Sequence, residues 1–252
     1  MFTAQSRPII FGHRGASALA PENTLAAFEL AYAQGAAGIE LDAKLSADGA
    51  VVVIHDQTVD RTTNGRGKVN ALKLKALKSL DAGSFFAPTF KSEPIPTLDE
   101  VFQAVGQRLY INIELTNYAS LRDPLPELAA ELVLKHGMVQ RVIVSSFNAA
   151  NLVRFRRRLP SVPVCLLALK GWIGFPARNL QMGWHRFDGL NPFYSDVTPA
   201  LVEHQHQRKR LVNVWTVNQP EEMHRLASIG VDGLITDNPI LARQTLAALI
   251  QG

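Results

Sequence analysis

The sequence lacks most features of secreted and membrane-spanning proteins. Cys165 is its only cysteine, which excludes an intramolecular disulfide. No run of about 18 or more apolar residues occurs, which argues against a membrane-spanning helix. The polar residues 1–7 precede a strand pattern without the charged and apolar regions of a secretory leader. These absences predict a cytoplasmic protein with no stable membrane insertion.

A large excess of charge of one sign is absent as well. The chain has 26 Lys+Arg and 22 Asp+Glu, which gives a formal net charge of +4. Its densest basic groups, residues 154–158 and 208–210, fall at predicted helix ends, where cations complement the helix dipole. A nucleic-acid binder would gather such residues on one face or tail. We therefore expect no nucleic-acid partner.

The chain does contain the material for one large core. It is 252 residues long and 47% hydrophobic, a size and composition typical of a single α/β barrel. Cys165 falls within an apolar run, where we expect it to pack in the core. We predict one domain over residues 1–252.

Short apolar runs alternate with helical patterns, which predicts parallel βα units. Helix starts are indicated by Asn23 or Thr24, by a capping box from Thr97 to Glu100, and by Thr198. The nine predicted strands cover residues 8–12, 38–45, 51–55, 110–115, 141–145, 162–168, 189–191, 211–217 and 233–236.

The second and third strands must form a hairpin, because the loop 46–49 is too short for a parallel crossover. A turn centred near Asp48 places His55 opposite Glu40 and Val53 opposite Asp42. Without the hairpin strand, eight parallel strands remain, the number that a closed, TIM-like (β/α)₈ barrel needs. Residues 56–95 show no clear strand and are predicted to form a small insertion over the C-terminal mouth of the barrel.

Three acidic residues fall near the carboxyl ends of predicted strands, where barrel enzymes carry their active sites. Glu40 and Asp42 are two apart on one strand and point to the same, inward face, and Glu114 lies on the next barrel strand. Because ionised carboxylates repel, a divalent cation is the simplest way to hold them together. Oxygen ligands favour Mg²⁺ or Ca²⁺. The alternative is that Arg14 or Lys44 forms a structural salt bridge with the strand pair.

Two histidines and an arginine lie at neighbouring strand ends. His13 and Arg14 end the first strand, and His55 ends the hairpin strand. Histidine has an ordinary pKa of about 6.5, so one imidazole can act as a base while another acts as an acid. An arginine can neutralise the oxygens of a phosphodiester. The set predicts acid–base catalysis on a phosphodiester, with a structural role as the alternative for each histidine.

Short motifs follow one another in order along nearly the whole chain: His13-Arg14-Gly15, Pro21-Glu22-Asn23-Thr24, Glu40-Leu41-Asp42, Asp48-Gly49, His55-Asp56, Arg61-Thr62-Thr63, Gly65, Asn112-Ile113-Glu114-Leu115, Ser145-Ser146-Phe147, Val214-Trp215-Thr216-Val217-Asn218 and Asp232-Gly233-Leu234-Ile235-Thr236-Asp237-Asn238-Pro239. The ordered set closely resembles the glycerophosphodiester phosphodiesterase family, of the bacterial cytoplasmic type. The resemblance implies a barrel enzyme that hydrolyses glycerophosphodiesters to glycerol 3-phosphate and an alcohol.

The resemblance also implies roles for individual residues. The positions matching Glu40, Asp42 and Glu114 bind Mg²⁺ or Ca²⁺, and His13 and His55 match the acid–base pair. In that scheme one histidine deprotonates the glycerol 2-hydroxyl for attack on phosphorus, and the other protonates the leaving alcohol. Water then opens the cyclic intermediate.

Three further positions bear on substrate binding. Arg14 matches a phosphate contact, and Trp215 resembles an aromatic residue of the glycerol or alcohol pocket, with core packing as the alternative. Many family members have lysine directly after Asn-Ile-Glu-Leu, whereas this chain has Thr116. We expect Lys44, which shares strand parity with the acidic pair, to supply the missing cation, with Arg66 as the alternative.

Two other functions remain open. Related barrels with the same His, Glu and Asp set act on lysolipids as lysophospholipase D-like or sphingomyelinase D-like enzymes, and Phe85, Phe86, Phe90 and residues 172–175 offer apolar surface for acyl chains. We favour the simpler interpretation that these aromatics fold the insertion onto the barrel rim. A catalytically silent phosphodiester-binding barrel is the other alternative, which the complete set of histidines and acids disfavours.

Overall fold

The fold is a barrel of parallel strands surrounded by helices. The computed structural model describes residues 8–118, 120, 122–182 and 185–250, with side chains as far as residue 247. The strands are β1 (Ile9–His13), β2 (Gly38–Leu45), β3 (Val51–Val53), β4 (Tyr110–Leu115), β5 (Val142–Ser146), β6 (Val164–Ala168), β7 (Gly189–Pro192), β8 (Leu211–Val214) and β9 (Gly233–Thr236).

Eight of these strands close into a parallel ring. Their order around the ring is β1-β2-β4-β5-β6-β7-β8-β9, and β9 pairs with β1 to complete it. Every residue of β2, β5, β6, β7 and β9 is buried, because one face of each strand lines the barrel interior and the other packs under helices. The predicted (β/α)₈ barrel is confirmed.

The third strand lies outside the ring, as the hairpin prediction requires. β3 pairs with β2 in antiparallel orientation, but the predicted register was wrong by one residue, because Val53 lies opposite Ala43 instead of Asp42. A hydrogen bond from Ser46 N to Ala50 O closes a three-residue loop. A loop with an odd number of residues is centred on a residue, and this shifts the pairing by one position.

The hairpin strand is also shorter than predicted. It ends at Val53, so His55 lies beyond the strand and is not paired opposite Glu40. A glycine is needed in the hairpin loop because Gly49 has a φ of +83°. His55 therefore belongs to the segment that enters the insertion, where its position depends on side-chain contacts instead of strand pairing.

Helices follow the strands and begin at the predicted start signals. The Thr24 side chain, and not Asn23, caps the first helix by accepting from Ala27 N. Thr97 and Glu100 form the predicted capping box. The helices are α1 (Leu25–Ala33), α2 (Leu74–Lys78), α3 (Leu98–Val105), α4 (Leu125–Lys135), α5 (Ala149–Arg158), α6 (Pro199–His206), α7 (Pro220–Ser228) and α8 (Pro239–Ile250).

Apolar side chains fill the lower part of the barrel interior. Phe11 packs there with Ile143, Cys165 and Ile235, which confirms the predicted packing role of the cysteine. A Cβ on Gly38 would lie 2.6 Å from the Phe11 ring, so glycine at this position makes room for the ring. This plug closes the barrel below and leaves its upper end, the C-terminal mouth, for polar groups.

The insertion between β3 and α3 has its own small core. It contains α2 and two 3₁₀ turns, Val69–Ala71 and Pro88–Phe90, packed around the buried side chains of Val52, Ile54, Val59, Val69, Leu77, Ala82 and Ile95. Phe85 and Phe86 are outside this core, and 41% and 38% of their surface is exposed. The expected packing of these two rings onto the barrel rim is not observed.

None of the helices within the described residues combines the length and apolar character needed to cross a bilayer.

The capping box gives a test of the fold. Replacing Thr97 with Ala removes the side-chain acceptor for Glu100 N, so we expect a loss of about 1 kcal/mol of unfolding free energy, measured by urea denaturation. Thr89→Ala, at an exposed position, is the matched control and should change stability little. Equal losses in both variants would contradict the capping role.

Candidate active site

Strand register assembles the site from residues that are far apart in the sequence. β2 and β4 are aligned so that Asp42 and Glu114 are direct neighbours. β1 and β2 are aligned so that His13 lies beside Glu40. All four residues are at the upper ends of parallel strands, which meet at one edge of the barrel. The mouth therefore collects acidic and titratable groups, as predicted.

Glu40, Asp42 and Glu114 form a compact acidic cluster. One carboxylate oxygen of each lies within 4.8 Å of the others. Glu40 and Asp42 are buried and Glu114 is half-buried. Carboxylate oxygens converging at this separation are the kind of ligand set that a hard divalent cation such as Mg²⁺ or Ca²⁺ prefers.

Arg14 offsets part of the charge of this cluster. Its Nε lies 3.2 Å from Asp42 Oδ2, and its backbone N–H donates to Glu40 Oε2 at 3.1 Å. The salt bridge considered as an alternative to metal binding is therefore present. It balances only one carboxylate, because among the described residues Glu40 and Glu114 form no ion pair with an Arg or Lys. Two of the three carboxylates are therefore left without an Arg or Lys partner among the described residues.

Two loops hold Arg14 in place. Arg14 and Gly15 have positive φ values of 54° and 89°, and a Cβ on Gly15 would lie 2.7 Å from atoms of Ala27. Asn23 N donates to Arg14 O at 2.9 Å, and Asn23 Nδ2 donates to Asp42 Oδ2 at 2.8 Å. The His-Arg-Gly and Pro-Glu-Asn-Thr motifs thus fold against each other and fix the orientation of the acidic cluster.

Burial and mutual repulsion disfavour full ionisation of the cluster. Burial, followed by the charge of Asp42, raises the pKa of Glu114 to about 8. Burial, followed by the charges of Asp42 and Glu114, raises the pKa of Glu40 well above its ordinary value. In the absence of a cation the cluster therefore retains protons near neutral pH, and cation binding would release them. This behaviour fits the predicted metal.

His13 is oriented by an aspartate that directly follows the last strand of the barrel. Its Nδ1 lies 2.6 Å from Asp237 Oδ1, and its Nε2 lies 3.9 Å from Glu40 Oε2. Asp237 is itself held by Ser17 Oγ at 3.1 Å and Asn218 Nδ2 at 2.5 Å. With Nδ1 occupied by the carboxylate, Nε2 is the nitrogen left to face a substrate.

His55 has the same type of partner. Its Nδ1 lies 2.8 Å from Asp56 Oδ1, and Arg61 Nε donates to Asp56 Oδ2 at 2.7 Å. The hydrogen bond from Arg61 holds the pKa of Asp56 well below its ordinary value. Arg61 also binds Glu22, which accepts from Arg14. A chain of ion pairs therefore connects His55 to the loop beside His13.

Three of these partners were not predicted as site residues. Asp237, Asp56 and Glu22 occur in the motifs quoted from the sequence, but no role was assigned to them. Asp237 directly follows β9, which lies beside β1, so its place after the last strand was a usable signal. Asp56 directly follows His55. Glu22 lies in a loop, where spacing alone indicates no partner.

Lys44 points inward but bonds to the residue at the position of the family lysine. Its Nζ donates to Thr116 Oγ1 at 2.8 Å and to Thr116 O at 3.3 Å. Burial lowers its pKa, against the opposing effect of Asp42. Arg66, the alternative cation, is exposed. The ammonium of Lys44 therefore lies next to position 116, where many family members have lysine.

Aromatic rings line one side of the mouth. The Tyr118 hydroxyl donates to Glu114, and the Tyr118 ring meets Phe147 edge-on at 5.8 Å between centroids. Phe147 meets Trp215 at 5.6 Å, and Trp215 meets Phe193 at 5.4 Å. Trp215 is half-buried in this row. It borders the site and also packs against the apolar plug.

The protein is thus an α/β barrel whose mouth holds an acidic cluster, with a histidine beside it. The family model of the "Glycerophosphoryl diester phosphodiesterase family" matches residues 13–241. A glycerophosphodiester phosphodiesterase of Caldanaerobacter subterraneus is 40% identical over 97% of this chain and 98% of its own length. One from Bacillus altitudinis is 36% identical over 91% and 94%, respectively.

Solved structures are also similar. An Oleispira antarctica phosphodiesterase in complex with the product sn-glycerol-3-phosphate has a TM-score of 0.86 and 29% identity, over 95% of this chain and 97% of that one. A glycerophosphodiester phosphodiesterase of Agrobacterium tumefaciens has a TM-score of 0.81 and 30% identity, over 93% and 98%. The chain therefore belongs to the glycerophosphodiester phosphodiesterase family, and the prediction that it is an enzyme is confirmed.

The raised pKa of Glu114 predicts how stability depends on pH. Glu114 loses its proton near its ordinary pKa of 4.5 when unfolded but only at about 8 when folded. The metal-free protein should therefore lose stability as pH rises from about 5 to 8. Glu114→Gln should reduce this loss, leaving the part due to Glu40, and gain on the order of 2 kcal/mol at pH 8.

Urea denaturation in EDTA between pH 5 and pH 8 measures the effect. Glu131→Gln, which changes an exposed acid, is the control and should follow the wild-type pH dependence. A Glu114→Gln protein that follows the same curve as wild type would contradict the assigned pKa.

Proposed function

We propose that this enzyme hydrolyses glycerophosphodiesters to glycerol 3-phosphate and an alcohol, with His13 and His55 as the acid–base pair. The observation that carries the proposal is that both histidines have Nδ1 on an aspartate, which leaves Nε2 available. His13 lies beside the cluster of three carboxylates, and His55 is linked to the Arg14 loop through Asp56, Arg61 and Glu22. The named relatives and the product complex support the same substrate class.

Glu40, Asp42 and Glu114 would hold a divalent cation, Mg²⁺ or Ca²⁺. Two observations support this: the carboxylate oxygens converge, and the pKa values of the two glutamates are raised. When bound, the cation would offset the negative charge that develops on the phosphoryl oxygens. Its charge also removes the repulsion among the carboxylates that otherwise keeps protons in the cluster.

The two histidines would move the protons. One neutral imidazole takes the proton of the glycerol 2-hydroxyl, whose oxygen attacks phosphorus, while the bond to the alcohol breaks. The other, protonated imidazole gives its proton to the departing oxygen. A cyclic phosphodiester results, and the roles reverse as water opens it. Asp237 and Asp56 keep each Nδ1 protonated, so that Nε2 makes both transfers.

The substrate would be positioned by cations and by aromatic surface. Arg14 lies beside the acidic cluster and can contact the phosphoryl group, and the buried ammonium of Lys44 supplies a second positive charge near Asp42 and Glu114. Trp215 would form a wall of the glycerol or alcohol pocket. The lysolipid alternative is not favoured, because the similar proteins described above are named for glycerophosphodiesters or for the glycerol-3-phosphate product.

We also propose a cytoplasmic location. A reducing compartment suits a chain with a single, buried and unpaired cysteine. Cell fractionation tests it.

The central test is release of glycerol 3-phosphate from glycerophosphocholine. His13→Ala and His55→Ala should each lower kcat about 10²- to 10⁴-fold, and EDTA should abolish turnover until Mg²⁺ or Ca²⁺ is restored. Asp237→Asn keeps the imidazole of His13 but removes its carboxylate, so its kcat should fall between those of wild type and His13→Ala.

His136→Ala is the control, because His136 binds Asp99 away from the mouth. Turnover that survives EDTA, or survives loss of either catalytic histidine, would overturn the mechanism. Turnover of lysophosphatidylcholine in preference to glycerophosphocholine would overturn the substrate class.

A second test concerns Lys44. Lys44→Met should lower kcat/KM about tenfold, because a positive charge near the phosphoryl group is lost. Adding Thr116→Lys to that variant places an ammonium at the neighbouring position, whose Oγ1 lies 2.8 Å from Lys44 Nζ in the wild type. The double variant should recover most of the lost kcat/KM. Lys91→Met, at an exposed position, is the control. An unchanged kcat/KM in Lys44→Met would exclude a substrate role.

A further inference from the structure

The segment after β6 exposes an unusual amount of apolar surface. This apolar loop, residues 169–180, contains Trp172, Ile173 and Phe175 with 85%, 59% and 56% of their surface exposed. Leu169 and Leu180 are exposed as well. Single exposed apolar residues are common, but five large ones within twelve residues form a patch of the kind that marks a binding surface.

Hydrogen bonds hold the backbone of the loop in a form that leaves these side chains exposed. Arg178 Nη1 donates to Leu169 O at 2.8 Å, and Arg178 Nη2 donates to Gly171 O at 2.6 Å. Asp196 holds Arg178 at 2.7 Å and accepts from Gly171 N at 2.6 Å. The half-buried Arg178 thus holds the loop in a form that points its apolar residues outward. This exposure costs hydrophobic free energy unless something covers the residues.

The loop borders the candidate active site. It follows the carboxyl end of β6 and therefore stands at the same edge of the barrel as the acidic cluster. Lys170 Nζ lies 5.7 Å from the Phe193 ring, and Phe193 contacts Trp215 in the aromatic row. Whatever covers the loop would face the mouth of the barrel.

The charge around the loop indicates the chemistry of its partner. The charged residues of the loop are Lys170 and Arg178, and it contains no Asp or Glu. The carboxylate that approaches the loop, Asp196, is neutralised by Arg178. Lys170 forms no ion pair with any described carboxylate within 4 Å. Exposed tryptophan, phenylalanine and aliphatic side chains beside an unbalanced lysine suit the interface of an anionic bilayer.

A second copy of the chain fits less well. A symmetric contact through the loop would bring the two Lys170 ammonium groups towards each other with no acidic residue from either loop between them. An anionic lipid surface would cover the apolar side chains of the loop and attract the ammonium of Lys170.

We propose that the apolar loop docks the enzyme onto anionic phospholipid bilayers, with the barrel mouth turned towards the lipid. The contact is peripheral, made by side chains at the tip of one loop. It concerns binding alone and does not rest on the proposed reaction, since the loop residues are distinct from the acidic cluster and the histidines.

Sedimentation with vesicles tests the proposal without an activity readout. Wild type should bind vesicles containing phosphatidylglycerol more tightly than pure phosphatidylcholine vesicles, and added salt should weaken the binding. The double variant Trp172→Ser/Phe175→Ser should bind at least tenfold more weakly. Lys170→Glu should reduce the preference for phosphatidylglycerol.

Leu134→Ser is the matched control. Leu134 is a similarly exposed apolar residue, but it lies in the last turn of α4, at the opposite end of the barrel, so its loss should leave vesicle binding unchanged. Thermal unfolding and turnover of soluble glycerophosphocholine should be the same in all these variants, which separates loss of docking from loss of fold.

Three results would overturn the proposal. The first is that wild type does not bind phosphatidylglycerol vesicles. The second is that wild type and the Trp172→Ser/Phe175→Ser variant bind them equally. The third is that wild type is a dimer and this variant a monomer in analytical ultracentrifugation, while their vesicle binding is the same. The last result would assign the loop to self-association.

Discussion

Repulsion among three inward-facing carboxylates is the constraint around which the mouth of this barrel is organised. Strand pairing fixes Glu40, Asp42 and Glu114 within 4.8 Å of one another, and the barrel wall keeps them from moving apart. Arg14, placed by a left-handed turn at the end of β1, balances one charge. Burial, together with the remaining repulsion, raises the pKa of both glutamates. The divalent cation proposed above would offset this residual charge.

The same constraint accounts for the position of the histidines. A histidine beside ionised carboxylates would turn towards them unless another group held it. His13 is held by Asp237, and His55 by Asp56. Each aspartate is in turn held by further donors, Ser17 and Asn218 in one case and Arg61 in the other. Orientation of both imidazoles therefore depends on partners that are not members of the acidic cluster.

The sequence predicts the local and periodic features of this molecule well. The alternation of strands and helices gave the barrel, and side-chain parity on β2 gave the inward-facing acids. Residue spacing failed where geometry depends on a single turn, so the hairpin register was off by one and β3 ended before His55. It also assigned no partner to His13, because the contact with Asp237 spans 224 residues and exists only when β9 closes onto β1. The bond between Lys44 and Thr116 depends on side-chain rotamers, which parity does not specify.

Closure of the ring also determines when, during synthesis, His13 can meet its partner. His13 is near the beginning of the chain and Asp237 near its end, and the two meet only across the seam between the first and last barrel strands. During synthesis on the ribosome, the imidazole emerges more than two hundred residues before its carboxylate partner. A nascent chain that has not yet made β9 and Asp237 thus lacks the carboxylate that orients this histidine.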